Sequence, residues 1–117
     1  MPKSGDVYCP DKGDIIWIDL DPTKGREQQG RRPALVLTPR SYNERAKRCV
    51  LCPITSHARD YPFEIPIPTG HAITATILAD QVRSLSWPER YAKFAMTAPA
   101  DVLEDTCEKI AALLSIG

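Results

Sequence analysis

The sequence predicts a small, mainly β domain with one C-terminal helix, and three observations carry that prediction. Short apolar runs rich in Ile, Val, Leu and Trp recur through most of the chain, each bounded by Gly, Pro, Asp or Asn. Eleven prolines are spread along 117 residues as punctuation, without a low-complexity tract or repeat. The hydrophobic period changes from about two to about 3.6 only after Pro99. Many short strands with one terminal amphipathic helix make a small antiparallel β-barrel with a helix packed against it.

The first strand is opened by Gly13-Asp14, closed by Asp21-Pro22, and built from Ile15 and Trp17 with, less cleanly, Ile16, Ile18 and Leu20. The second runs from Pro33 to Leu37, with proline at the position where a missing N–H does least harm. Between them lies a loop of roughly ten residues, longer than a connection that merely turns the chain. It carries Lys24, Arg26, Glu27, Gln28, Gln29, Arg31 and Arg32, with Gly25 and Gly30 as pivots. A long charged loop between rigid strands is where a small β domain keeps its function, although a solvated hairpin explains the charge equally well.

Ser41-Tyr42-Asn43-Glu44 has the spacing of a capping box and marks one or two helical turns. Cys49 to Ser56 reads as a third strand, with Pro53 implying an edge or a bulge. Phe63 to Ile67 alternates, and Pro66 assigns it to an edge. Thr76 to Leu85 and Tyr91 to Met96 complete about six strands. In the last segment Pro99 suits a first helical position, and Leu103, Cys107, Ile110 and Leu114 share one face. Asp101, Glu104 and Asp105 fall in its first turns, where they favour the positive end of the helix dipole. Trp17 and Trp87 are expected in core or interface packing.

A chain of 117 residues supports one domain with a single core, and 43% apolar and 26% charged residues are ordinary for a globular protein. No apolar run approaches a membrane span, and MPKSGDVYCP has no signal-peptide core, so a cytoplasmic location and no membrane association are expected. Residues 1–10 read as an N-terminal extension. Cys9, Cys49, Cys52 and Cys107 are then expected to be reduced. Cys49-x-x-Cys52, even with His57 as a third ligand, lacks the second half of a zinc site, and residues three apart on a strand face opposite ways. No metal and no cofactor is expected.

The net charge is zero, but it is unevenly distributed. Residues 24–59 hold nine basic and two acidic residues, residues 1–23 two and five, and residues 99–117 one and four. Such segregation suits one polyanion-facing surface on an otherwise acidic body.

The run GDIIWIDLDPTKG, with Glu27-Gln28, Gly30 and Arg32-Pro33-Ala34-Leu35-Val36-Leu37, resembles the opening of the MazF/PemK toxins, sequence-specific endoribonucleases of toxin–antitoxin pairs. The likeness continues in Cys52-Pro53-Ile54-Thr55, in Tyr61-Pro62-Phe63-Glu64, and in Leu78-Ala79-Asp80-Gln81-Val82-Arg83-Ser84 with Trp87. It covers nearly everything from Gly13 onward. The resemblance implies an SH3-like antiparallel barrel, a homodimer with a groove for single-stranded RNA, and a MazE-like antitoxin whose acidic disordered tail competes for that groove. It further implies metal-independent cleavage by 2′-hydroxyl attack, mainly of mRNA. CcdB, a related branch that binds DNA gyrase and catalyses nothing, and an inactive RNA-binding module are alternatives on the same fold.

By the resemblance, Arg32, Thr55 and Glu27 are the catalytic set. A guanidinium fork suits charge stabilisation at phosphate and makes a poor base. A threonine hydroxyl both donates and accepts, although Thr55 taken alone is an ordinary β-branched strand residue. Glu27 either accepts the 2′-hydroxyl proton or pairs with Arg26, Arg31 or Lys24. Lys24, Arg26, Gln28, Arg31, His57, Arg59, Gln81, Arg83 and Ser84 are candidate RNA contacts, several of them suited to the edges of splayed bases. His57, two residues past Thr55, matches no family histidine. The implied specificity loops are residues 23–31 and 56–61.

Overall fold

The computed structural model describes residues 8–20, 31–68, 70–71 and 75–116. In chain order the elements are β1 (Asp14–Asp19), β2 (Arg31–Val36), α1 (Arg40–Ala46), β3 (Cys49–Thr55), β4 (Glu64–Pro66), β5 (Thr76–Leu78), β6 (Arg83–Leu85), β7 (Lys93–Thr97) and α2 (Ala100–Leu114). Every strand pairing is antiparallel, in the order β4-β5-β3-β2-β1-β7, with β6 beside β3. Among the described residues the ladder runs from β4 to β7 without closing, so the expected barrel is a barrel-like open sheet.

The sheet is buried on both faces, which explains the imperfect alternation of the first strand. Ile15 joins Leu35, Cys52, Ile54, Ile77 and Val102 on one face. Ile16 and Ile18 join Ala34, Val36, Cys49, Leu51, Leu85 and Trp87 on the other. A two-sided strand reads as a continuous apolar run, because successive side chains enter different cores. Trp87 is 4% exposed, as expected, whereas Trp17 is 39% exposed and lies outside both cores.

Pro53 lies in the central strand β3. Val50 directs both its amide N–H (to Thr38 Oγ1, 3.0 Å) and its carbonyl (from Leu37 N, 2.8 Å) toward β2. Backbone groups alternate along a strand, so Pro53 faces the opposite edge. There β5 pairs with residues 54–55 and β6 with residues 49–51. Residues 79–82 interrupt the expected strand between those two ladders. The missing N–H of Pro53 therefore falls at a bulge, not at a sheet edge. Pro66 is on an edge strand, as its proline implied.

The Ser41–Glu44 capping box is not formed. Helix α1 starts at Arg40 with Pro39 as its N-cap and no side-chain cap bond. Ser41 lies one residue inside, and Asn43 is the organising residue. Its Nδ2 donates to Pro10 O (2.9 Å) and Thr38 O (2.8 Å), and its Oδ1 accepts from the Thr38 hydroxyl (2.6 Å). Its carbonyl accepts from Trp87 Nε1 at 2.9 Å. Pro10 is fully buried, and Tyr8 and Cys9 pack against the second core. Residues 8–10 thus belong to the packed body.

Gly13 adopts φ +93°, a left-handed conformation, and a Cβ there would meet Leu103 Cδ2 at 3.3 Å. Glycine lets this turn enter β1 directly beneath α2. In α2 the deepest residues are Val102 and Thr106, flanked by Leu103 and Ile110. Leu114, expected on the packed face, is 58% exposed, beside exposed Leu113 and Ile116.

Candidate active site

Strand register builds the site. Ala34, Leu35 and Val36 of β2 pair with Pro53, Cys52 and Leu51 of β3. Continuing that register toward the start of β2 sets Arg32 opposite Thr55, with Cβ atoms about 5 Å apart in a regular ladder. Thr55 in turn pairs with Thr76, and Thr76 with Pro66. Arg32, Thr55, Thr76 and, one step along, Leu78 and Glu64 thus share one face across four strands. Arg32 is exposed and Thr55 half-buried.

Beside Thr55 the sheet opens into a cleft of 580 Å³, lined by Thr55, His57, Arg59, Tyr61, Glu64, Leu78, Asp80 and Gln81. The loop after β3 supplies its outer wall. Thr55 Oγ1 accepts from the His57 backbone N–H at 3.1 Å, which leaves the hydroxyl proton to be donated. Ser56 Oγ lies 3.2 Å from His57 Nδ1. The two Glu64 carboxylate oxygens accept from Arg59 N at 3.0 and 3.2 Å, and one of them from Tyr61 N at 3.4 Å. This carboxylate anchors the turn around Asp60, whose φ of +57° is left-handed. Asp80 and Gln81 supply the inner wall, where Gln81 N donates to Leu78 O at 3.1 Å.

The cleft therefore brings together Thr55, His57, Arg59 and Gln81, and the continued register sets Arg32 across from Thr55. Others are placed elsewhere. Arg31, adjacent to Arg32, points to the opposite sheet face and pairs with Asp19 across β1. Asp19 is 4% exposed, and its Oδ1 has no hydrogen-bond partner among the described residues. Arg83 and Ser84 pair with Leu51 and Val50, about 13 and 16 Å along β3 from Thr55 at 3.3 Å per residue. Ser84 is held there by Arg48, through Nε to Oγ (3.1 Å) and Nη2 to the carbonyl (2.8 Å). Lys24, Arg26, Glu27 and Gln28 lie outside the described residues.

The basic segment also divides. Arg31, Arg32 and Arg59 lie toward the cleft end of β2 and β3, whereas Arg40, Arg45, Lys47 and Arg48 belong to α1 and its C-terminal turn at the other end. Arg40 stands 3.9 Å from Asp11, and Lys47 Nζ lies 5.7 Å from the centre of the Trp87 ring. Cys49 and Cys52 enter different cores, so they do not converge on a metal. Burial pushes both thiols up to about 12, leaving them protonated near neutrality.

Glu64, Leu78 and Asp80 are cleft residues that the sequence did not single out for function, and Tyr61 was marked only as the end of the 56–61 specificity loop. Each sits in a quoted motif, Tyr61-Pro62-Phe63-Glu64 or Leu78-Ala79-Asp80-Gln81. Their convergence depends on the pairing of Glu64 with Leu78.

An open cleft lined by both basic (Arg59) and acidic (Glu64, Asp80) side chains, on an antiparallel sheet that carries two helices, defines a small β domain with a ligand site on its sheet face. A family model described as the PemK-like, MazF-like toxin of type II toxin–antitoxin systems matches residues 11–114, and the chain belongs to that family. It is 43% identical over 107 residues to the Escherichia coli K12 endoribonuclease toxin MazF, covering 92% of this chain and 96% of that one. It is 30% identical to the Escherichia coli endoribonuclease PemK, over 90% of this chain and 82% of the relative. The solved MazE–MazF complex from Deinococcus radiodurans matches with a TM-score of 0.86 and 40% identity, over 95% of this chain and all (100%) of the matched chain.

Proposed function

We propose that the protein is the toxin of a toxin–antitoxin pair and an endoribonuclease that cuts single-stranded RNA at short motifs. The observation that supports this reading is the β2–β3 register, whose continuation past Ala34 and Pro53 brings Arg32 opposite Thr55, a residue that lines the cleft. The 2′-hydroxyl of RNA is a built-in nucleophile. Its oxygen attacks the neighbouring phosphorus, the bond to the 5′ oxygen breaks, and a 2′,3′-cyclic phosphate (or, after hydrolysis, a 3′-phosphate) and a 5′-hydroxyl result.

Arg32 binds the charge that gathers on the non-bridging oxygens. Thr55 donates its hydroxyl proton to one of those oxygens while the His57 N–H holds its lone pair. Glu27 takes the 2′-hydroxyl proton, and a protonated group returns one to the leaving 5′ oxygen. His57 and Arg59 in the cleft contact flanking phosphates, while Gln81 faces bases. Lys24, Arg26, Gln28, Arg83 and Ser84 add further RNA contacts, whereas Arg31 faces the other side of the sheet. The reaction uses no divalent metal. Messenger RNA is the main target, and its loss stops translation and growth in the cytoplasm. The protein acts as a homodimer, and its antitoxin, an acidic disordered tail of the MazE kind, competes for the same groove.

The test is direct. The protein is incubated with a long unstructured RNA in EDTA, and new 5′ ends are mapped by primer extension. Discrete cuts that share a short motif are expected, and should vanish with Arg32→Ala. Intact RNA from a folded dimer would sink the nuclease reading.

A further inference from the structure

The cleft contains groups that phosphate binding and cleavage do not use. Asp80 is half-buried in its wall, and its carboxylate has no hydrogen bond or ion pair among the described residues. A free carboxylate next to a polyanion repels the backbone, so the phosphates must run elsewhere along the lip. What then faces Asp80 has to offer hydrogen-bond donors, because an ionised carboxylate only accepts. Tyr61 presents a 52% exposed ring in the same cleft, backed by Phe63 with centroids 6.2 Å apart. An exposed aromatic face on an anchored loop suits stacking of an unpaired base. Glu64 is already engaged by the Arg59 and Tyr61 backbone N–H groups, so it holds the platform in place and leaves base reading to Asp80. At 580 Å³ the space falls in the usual range for small-ligand sites, about 300–1,000 Å³.

We propose that this cleft is a nucleobase pocket selective for a base with an exocyclic amino group, the base stacking on Tyr61 and its amino group donating to Asp80. Uracil places a carbonyl acceptor where cytosine has its amino group, so that position meets the carboxylate with like polarity and is disfavoured. The inference rests on the RNA-cleaving reading above and narrows its substrate. Gln81, beside Asp80, has both a donor and an acceptor for the neighbouring base edge.

The test measures binding, independently of cleavage. Fluorescence anisotropy is recorded with short random-sequence 2′-O-methyl RNA, which lacks the nucleophile. Matched pools replace cytidine with uridine, adenosine with inosine, or guanosine with inosine. One replacement is expected to weaken binding about tenfold or more, the scale of a lost hydrogen bond to a charged group. Asp80→Asn should erase that difference, and Tyr61→Ala should weaken all pools alike. Equal affinity for all pools, or no binding to any, overturns the pocket, and discrimination that survives Asp80→Asn overturns the assignment to Asp80. Selective binding without cleavage of natural RNA would count against the nuclease reading alone.

Discussion

Replacing Arg32 with alanine separates catalysis from folding. The Arg32 side chain is exposed at the cleft end of β2 and makes no hydrogen bond or ion pair among the described residues. Its removal should change stability by no more than about 0.5 kcal/mol, as for other surface positions outside packed or bonded networks. The loss in the transition state is of another size. A donor aimed at developing negative charge is worth roughly 2.7–4 kcal/mol, so kcat/KM should fall about 10²- to 10³-fold. Arg32→Lys should recover part of the loss, because it keeps the charge without the planar fork. The assay is kcat/KM in EDTA on an oligonucleotide with one mapped cut site, alongside urea denaturation followed by tryptophan fluorescence. Activity within threefold of wild type in a folded Arg32→Ala protein would remove Arg32 from the phosphate and refute the register argument. A stability loss above about 2 kcal/mol would instead show that Arg32 supports the fold.

Two further outcomes concern the scaffold. Asn43→Ala removes three buried side-chain hydrogen bonds, to Pro10 O, Thr38 O and the Thr38 hydroxyl. At about 0.5–1.5 kcal/mol each, stability should drop by about 2–4 kcal/mol, read as a lower urea midpoint at unchanged slope. The thiols predict an alkaline limit. Cys49 and Cys52 have pKa values raised by burial from 9.0 to about 12. The unfolded chain therefore releases these protons first, so the stabilisation is complete below pH 9 and is lost as pH rises toward 12. The slope is at most about 1.4 kcal/mol per pH unit per thiol. Urea midpoints of wild type and Cys52→Ala from pH 8 to 11 should converge as pH rises, and parallel curves would disprove the assignment.

Local chemistry was legible wherever it decides itself. The apolar runs located the strands, Pro66 marked an edge, and the change of period after Pro99 located α2, because strand alternation and helical period are properties of neighbouring residues. The family was legible too, from several motifs in order. The opposed facing of Cys49 and Cys52 followed from strand geometry alone.

Only the tertiary structure decided matters that depend on which strands meet. A capping-box spacing at Ser41–Glu44 gave no cap, since the helix starts one residue earlier with Pro39 as its N-cap, and Asn43 instead bonds Thr38 and the sequence-distant Pro10. Leu114 matched the helical stripe, but periodicity does not say where the packed surface ends. Pro53 is tolerated in a central strand because residues 79–82 bulge away from it. The site shows the same division. Arg32 and Arg31 are neighbours in sequence yet face opposite sides of the sheet. Thr55, twenty-three positions after Arg32, comes to lie beside it. Asp80 and Glu64 reach the same cleft through the ladder of β4 with β5 and β5 with β3. A one-residue slip in any of those ladders would turn the side chains to the other face, so register, a property of paired strands and not of any one segment, determines the site.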